Sequence, residues 1–366
     1  MMKIKFNKKT SLCTILLLML IFFIINAITV FNHGFSLKNL YTTDKVVNVK
    51  SYGAVLDGKH PDDSALQAAI NSIREGTVYI PRGTLLIGNK NTITVPKGIN
   101  IVGDGFKRTT IKQINGYPSN KIFNAMGGQI IQGLTIDSKL GIKPSGDNIE
   151  ISKCKFTNAV QAIQVADTVN KLTIDKCVFE DNPGYGILFN KNPSYDCAIT
   201  NCEFINTEGD FIEINSPCEN IKIENCSFKD NYGTGQWAGF GIGIAMKAKE
   251  ISINNCSFVN IYGQGIHVED SAEASITNCK FKNCGNEDYE GSPKSDIAVL
   301  SKAKVDISKS IHYKPQSKYS KIPVFCTSAQ ANAVECTYYK RSSSNGLNIS
   351  KGVFYGYDNK KKIIDD

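Results

Sequence analysis

The chain has 366 residues, with 42 lysines and arginines against 34 aspartates and glutamates, and 12 cysteines. Four of those lysines (Lys3, Lys5, Lys8 and Lys9) crowd the front, and the remaining 38 basic residues exceed the acidic ones by only four. So small an excess excludes a nucleic-acid-binding surface.

Residues 12–31 carry no charge and are almost wholly apolar. About 20 such residues span a bilayer, and the basic flank stays on the cytoplasmic side. A cleaved signal has a shorter apolar core and a small-x-small site, which Asn26-Ala27-Ile28-Thr29 fits poorly. The reading favours an uncleaved signal-anchor over a signal peptide in residues 1–31, then a polar linker over 32–45. The body is thus extracytoplasmic, anchored to the membrane, or secreted if the segment is cleaved.

Asp62-Asp63-Ser64 open an amphipathic helix with Leu66, Ala69, Ile70 and Ile73 on one face. Asp62 or Asp63 suits its N-cap. Val78–Ile80 and Ile99–Val102 follow as strands.

From residue 149 one phrase recurs: apolar-x-apolar-x-x-Cys-x-Phe. Its cysteines are Cys154, Cys177, Cys202, Cys226, Cys256 and Cys279, in steps of 23, 25, 24, 30 and 23 residues. A period in this range marks one unit stacked on its copies. One short strand per sheet per turn, about 4.8 Å apart, describes a right-handed parallel β-helix over residues 46–308. The N-terminal helix then has a task, covering open strand edges at the first turn. Stacked cysteines stand too far apart for disulfides, which need Cβ atoms about 3.8 Å apart; they read as small buried hydrophobes. Cys326 and Cys336 lie outside this ladder and can pair. Residues 309–366 lose the period and read as a C-terminal cap and tail.

Gly53-Ala54-x-x-Asp57-Gly58, Asp62-Asp63-Ser64, Gln67-Ala68-Ala69-Ile70, Val78-Tyr79-Ile80-Pro81-x-Gly83-Thr84 and Gly103-Asp104-Gly105 together resemble the N-terminal region of pectate-lyase-like β-helix proteins. That group includes rhamnogalacturonases, polygalacturonase relatives, epimerase-like proteins and phage tailspikes. The resemblance is close over residues 46–112 and generic over the coils beyond. It implies a right-handed β-helix and polysaccharide as the usual substrate class. The aspartates of this signature read as capping and turn residues.

A second strand follows each Cys, with one outward column expected as Gln164, Leu188, Glu213, Ala245, His267, Ala298. Flanking columns bring Tyr185, Asp210 and Gln264 on one side, and Asn215, Lys247 and Glu269 on the other. Insertions at 230–240 and 283–294 enter just before this face and bring Trp237, the single tryptophan. Asp210, Glu213, His267, Glu269 and Lys247 are therefore the candidate catalytic residues. Trp237, Tyr185, Asn215 and Gln264 are the candidate substrate-binding residues.

Three chemistries compete on this face. Hydrolysis needs carboxyls about 5 Å or about 6.5–9.5 Å apart, which Asp210 and Glu213, or either with Glu269, can supply. The polygalacturonase pattern itself is broken, since Phe211 replaces the second Asp of its paired-Asp strand and Gly263-Gln264-Gly265 stands for Gly-His-Gly. β-Elimination or C5-epimerisation of a uronate needs a base and a cation, served by His267 and Lys247. Calcium held by Asp210, Glu213 and Glu269 can replace that cation, although the sequence requires no cofactor. The leading expectation is cleavage of a uronate-containing glycan by hydrolysis or elimination. The alternatives are a uronate C5-epimerase and a non-catalytic glycan-binding or surface-structural protein. The expected partners are a polysaccharide substrate and the membrane through residues 12–31.

Overall fold

The computed structural model describes residues 45–88, 92–114, 121–233, 238–286, 294–313, 316 and 322–338, and beyond them the strands at 348–350, 352–355 and 361–364. Three parallel sheets of 13, 12 and 11 strands run through them. Successive strands of one turn belong to different sheets, and each pairs with its counterpart one turn on. This is a parallel β-helix, and parallel crossovers take the right-handed form. Among the described residues no helix is long and apolar enough to cross a membrane; the apolar segment at 12–31 lies outside them.

The repeat phrase builds the first two sheets and the corner between them. Ile149, Leu172, Cys197, Ile221, Ile251, Ala274 and Val305 form one buried row of the first sheet. The residue before each ladder cysteine adopts a left-handed backbone: Lys153, Lys176, Asn201, Asn225, Asn255 and Asn278 all have φ between 51° and 56°. That conformation is costly for most L-residues and least so for asparagine, which takes four of the six places. There the side chains also stack, with Asn255 Nδ2 donating to Asn225 Oδ1 at 2.7 Å. The chain turns at this residue, points the cysteine inward and enters the second sheet.

All six ladder cysteines are buried and free, and the Cys326–Cys336 disulfide that the sequence allows is not formed. Cys326 sits in the third sheet, opposite Val299. Cys336 instead continues the ladder, its thiol donating to Val334 O and lying against Ile307 O, as Cys279 does to Thr277 O and Ile253 O. The phenylalanines stack beside this row: Phe156, Phe179, Phe204, Phe228, Phe258 and Phe281 lie near-parallel at 4.6–4.9 Å between centroids.

The coil runs past residue 308, where its end was expected. Strands Ile311–His312, Ile322–Thr327, Gln330–Val334 and Thr337–Tyr338 extend the three sheets, and Asn348–Ser350 adds to the third. The repeat persists in disguise. Ser310 takes the cysteine's place, its hydroxyl donating to Ser308 O. His312 takes the phenylalanine's, stacked on Phe281 at 4.9 Å.

At the other end the helix Asp63–Asn71 buries Ala65, Leu66, Ala69 and Ile70. It falls between Asp57–Pro61 of the second sheet and Gly76–Ile80 of the first. In later turns a strand of the third sheet fills that place, so the helix substitutes for it. Asp62 occupies the N-cap position without capping; its carboxylate instead accepts the N–H groups of Val55 and Leu56. Asp63 accepts from Gly88 N. Asp57 holds its own turn through the N–H groups of Lys59 and His60, and Asp104 accepts from Tyr79 Oη and Arg82 N. The signature aspartates thus tie turns of the first coils together.

Candidate functional site

Strand Ile212–Asn215 buries Ile212 and Ile214 in the core. Period-two alternation then turns Glu213 outward. Its register partners along the third sheet are Leu188 before it and Gly243, His267 and Ala298 after it. Ala245, expected between Glu213 and His267, is therefore replaced by Gly243. The strand after Cys226 is Ile242–Ile244, not a strand centred on Ala245. The 230–240 insertion is two residues shorter in effect than the apolar pattern suggested.

This shift removes Lys247 from the site. It lies beyond the strand, in a left-handed corner with Met246 (φ 60° and 55°). There it lines a separate cavity of about 620 Å³ with Pro217, Asp270 and Lys302. Asn215, in register with Asn190, is exposed at the strand end. Tyr185 is half-buried one turn before Asp210. Trp237 lies outside the described residues.

Asp210, Glu213, Gln264, His267 and Glu269 do come together, and more deeply than expected for an outer face. Asp210 is 5 % exposed, His267 3 % and Gln264 0 %. The cover is the end of the insertion. Phe240 stacks its ring on the His267 imidazole at 4.4 Å with a 13° tilt, and its N–H donates to Asp210 Oδ1 at 2.6 Å. Gly263 makes room, since a Cβ there would meet Phe240 Cδ1 at 2.7 Å and Ala238 O at 2.5 Å.

The Asp210 and Glu213 carboxyls are hydrogen-bonded to each other. Burial pushes Asp210 up to about 6 against the stabilising N–H of Phe240. Burial, and then the charge of Asp210, hold Glu213 well above the usual carboxylate range. Both carboxyls are thus biased toward their protonated forms. His267 is fixed from both ring nitrogens, with Nδ1 3.3 Å from Gln264 Oε1 and Nε2 3.5 Å from Glu269 Oε2. The His267 contact holds Glu269 below its ordinary value. The arrangement is an acid biased toward its neutral form and an oriented imidazole two turns apart, about 10 Å between strands, with a glycine between them.

Asp210 and Glu213 thus lie together, the nearer of the carboxyl pairs that hydrolysis could use. Asp210 and Glu213 interact with each other, Glu269 contacts His267 and acts on Glu213 through its charge, and no cluster of three metal-binding side chains occurs among the described residues.

Comparison with known proteins bears on family and fold. Mannuronan C5-epimerase AlgE1 of Azotobacter vinelandii is 36% identical over 81 residues, which is 20% of this chain and 6% of that protein. Alginate lyase 7 of the same organism is 33% identical over 113 residues, 28% of this chain and 13% of that one. The chain thus spans a small part of the relatives it matches. The catalytic unit of a GH87 α-1,3-glucanase from Streptomyces thermodiastaticus superposes with a TM-score of 0.67 at 14% identity, over 86% of this chain and 69% of that one. That likeness speaks to the fold. Residues 46–287 match the family described as rhamnogalacturonase A/epimerase, pectate lyase-like. With this match over most of the coil, the chain belongs to the rhamnogalacturonase A/epimerase, pectate-lyase-like family of parallel β-helix proteins.

Proposed function

We propose that the protein acts outside the cytoplasm on a uronate-containing polysaccharide by abstracting the proton at C5 of a uronate residue. The observation that carries the reading is Glu213, whose carboxyl burial biases toward its neutral form, set across Gly243 from an imidazole held by Gln264 and Glu269. Removing a proton α to a carboxylate puts negative charge on that carboxylate. A neutral carboxyl that donates a hydrogen bond there stabilises the charge as it develops, where an ionised one would repel it. With Nδ1–H held by Gln264 Oε1, His267 takes the proton at Nε2 as general base once the substrate displaces the 3.5 Å contact to Glu269. Expulsion of the C4 oxygen then gives an unsaturated uronate and a broken chain. Return of a proton to the opposite face gives the C5 epimer, so elimination and epimerisation share their first step.

The broken polygalacturonase pattern, with Phe211 in place of the second Asp and Gln264 in place of the His, favours this reading over that form of hydrolysis. A panel of uronate polymers and neutral glucans, read for reducing ends and for the absorbance of unsaturated uronates, tests it. Unsaturated product from a uronate polymer supports elimination. Reducing ends without unsaturation point to a hydrolase. Glycan binding without any product points to a binding protein.

A further inference from the structure

The face that carries Glu213 continues toward the N-terminus, and its chemistry changes sign. Before Leu188 the same outward row reads Gln164, Lys143 and Asn124. In the neighbouring row, Lys121 reaches along the face so that its Nζ donates to Gln161 Oε1 at 2.6 Å. Gln161 is in register with Tyr185, one turn before Asp210. Lys191 follows the far end of the strand Tyr185–Asn190. The ammonium groups of Lys143 and Lys191 act on that of Lys121. The one carboxylate in the group is Asp167, paired with Lys143 at 2.8 Å and also under the field of Lys191. Three cations thus face one anion, and the excess is held against the solvation that Lys121 loses.

We propose that Lys121, Lys143 and Lys191 form a subsite for the anionic group of an acidic sugar residue bound next to the residue at Glu213 and His267. The inference rests on the reading of that face as the glycan site and adds the charge its substrate must carry. Lys121 Nζ lies at the level of Gln161, two turns or about 10 Å from Asp210 along the coil. Between the two ends stands Tyr185, half-buried over the buried Leu188, and the Tyr185 ring suits the apolar side of a sugar. The ends ask opposite things of a polyanion: cations hold one anionic group, while Glu213, biased toward its neutral form, accepts another without repulsion. Like-charged lysines converge at a cost that only an anion relieves. The cost is visible at Lys121, whose ammonium is pushed down to about 7 by burial and by Lys143 and Lys191. An anion seated there raises it again, so binding takes up a proton near pH 7. The groups around Lys121 that enter this balance are Lys143, Lys191, Asp167, Gln161 and Tyr185.

Titration calorimetry of the full chain with oligomannuronate, a sulfated galactan oligosaccharide and a neutral glucan oligosaccharide of equal length tests the proposal. Expected are binding of an anionic probe that weakens with salt, little binding of the glucan, and a loss of tenfold or more in affinity in Lys121→Met/Lys143→Met. Buffers of different ionisation enthalpy should report proton uptake near pH 7 that Lys121→Met abolishes. Lys191→Gln, a change at an exposed position, should weaken binding with the melting temperature unchanged. A preference for the sulfated probe keeps the subsite and makes sulfate its anion. Equal affinity for glucan, no binding of either anionic probe, or unchanged affinity in all three lysine variants overturns it. Turnover of a uronate polymer with KM unaffected in the lysine variants would sink the subsite alone. Lysine-dependent binding with no C5 chemistry would instead sink the catalytic reading and leave the subsite.

Discussion

Gly243 lies in register between Glu213 one turn before it and His267 one turn after it, and a Cβ at its position would fall 2.0 Å from Glu213 Oε2. The missing side chain is what lets the Glu213 carboxyl lie across the sheet toward the imidazole. Gly243→Ala should therefore push that carboxyl aside. Turnover should fall about 10²-fold, the cost of misplacing a reacting group by about 1 Å. Glu213→Gln and His267→Gln, which remove the acid and the base, should each cost about 10² to 10⁴. Rate measurements on a responsive polymer check all three. Full activity in Gly243→Ala would mean that the Glu213–His267 axis is not the reacting one.

The acid pair makes stability depend on pH in a stated direction. Asp210 and Glu213 both hold their protons more tightly folded than unfolded, Asp210 up to about 6 and Glu213 higher. Their contribution is fully present below the ordinary carboxyl range, about pH 4, and is lost as pH rises through 6 and beyond. Glu213→Gln removes one of these protons from the balance. Its melting temperature relative to the parent should climb steadily between pH 4.5 and pH 8. A constant gap over that window would show that the pair ionises as freely folded as unfolded.

Much of this architecture is legible in the sequence, because buried rows repeat residue types turn after turn. The Cys and Phe columns give the first two sheets and their corner. What hides from the sequence does so for physical reasons. Ser310 and His312 satisfy the same stacking positions with different chemistry, so the coil seems to stop early. Ile242, Ile244 and Met246 offer two apolar alternations two residues apart, and only packing against Ile212 and Ile266 selects the first. The depth of His267 depends on Phe240, an insertion residue whose landing place no period records.

His312 joins Asp296 inside the core at 2.8 Å, with both side chains wholly buried. The position of Asp296 is held by Gly265 one turn earlier, where a Cβ would meet Phe281. The pair thus fills a corner that other turns fill with a ring and a small residue. His312→Phe alone leaves Asp296 without this partner and should cost about 3–5 kcal/mol. Asp296→Ala/His312→Phe should recover most of that loss, measured by denaturant unfolding. Equal destabilisation in the single and double variants would contradict the pairing.

Burial should make the ladder thiols inert in the folded chain. It raises Cys177 well above its ordinary value, helped by the neighbouring thiols of Cys154 and Cys202. A thiol reagent at pH 8 should leave Cys154, Cys177, Cys202, Cys226, Cys256 and Cys279 unlabelled in the native protein. In denaturant without reductant it should label all six. Recovery of these cysteines as oxidised pairs would contradict the stacked, unpaired column.

The central claim is that the face around Glu213 and His267 breaks the C5–H bond of a uronate. Incubation of a uronate polymer with the protein in D2O, followed by proton NMR of the C5 position, reads that event directly. The account predicts loss of the C5–H signal, through unsaturation or through deuterium at an inverted centre, and its abolition by His267→Gln. New reducing ends with the C5–H signal intact would contradict it.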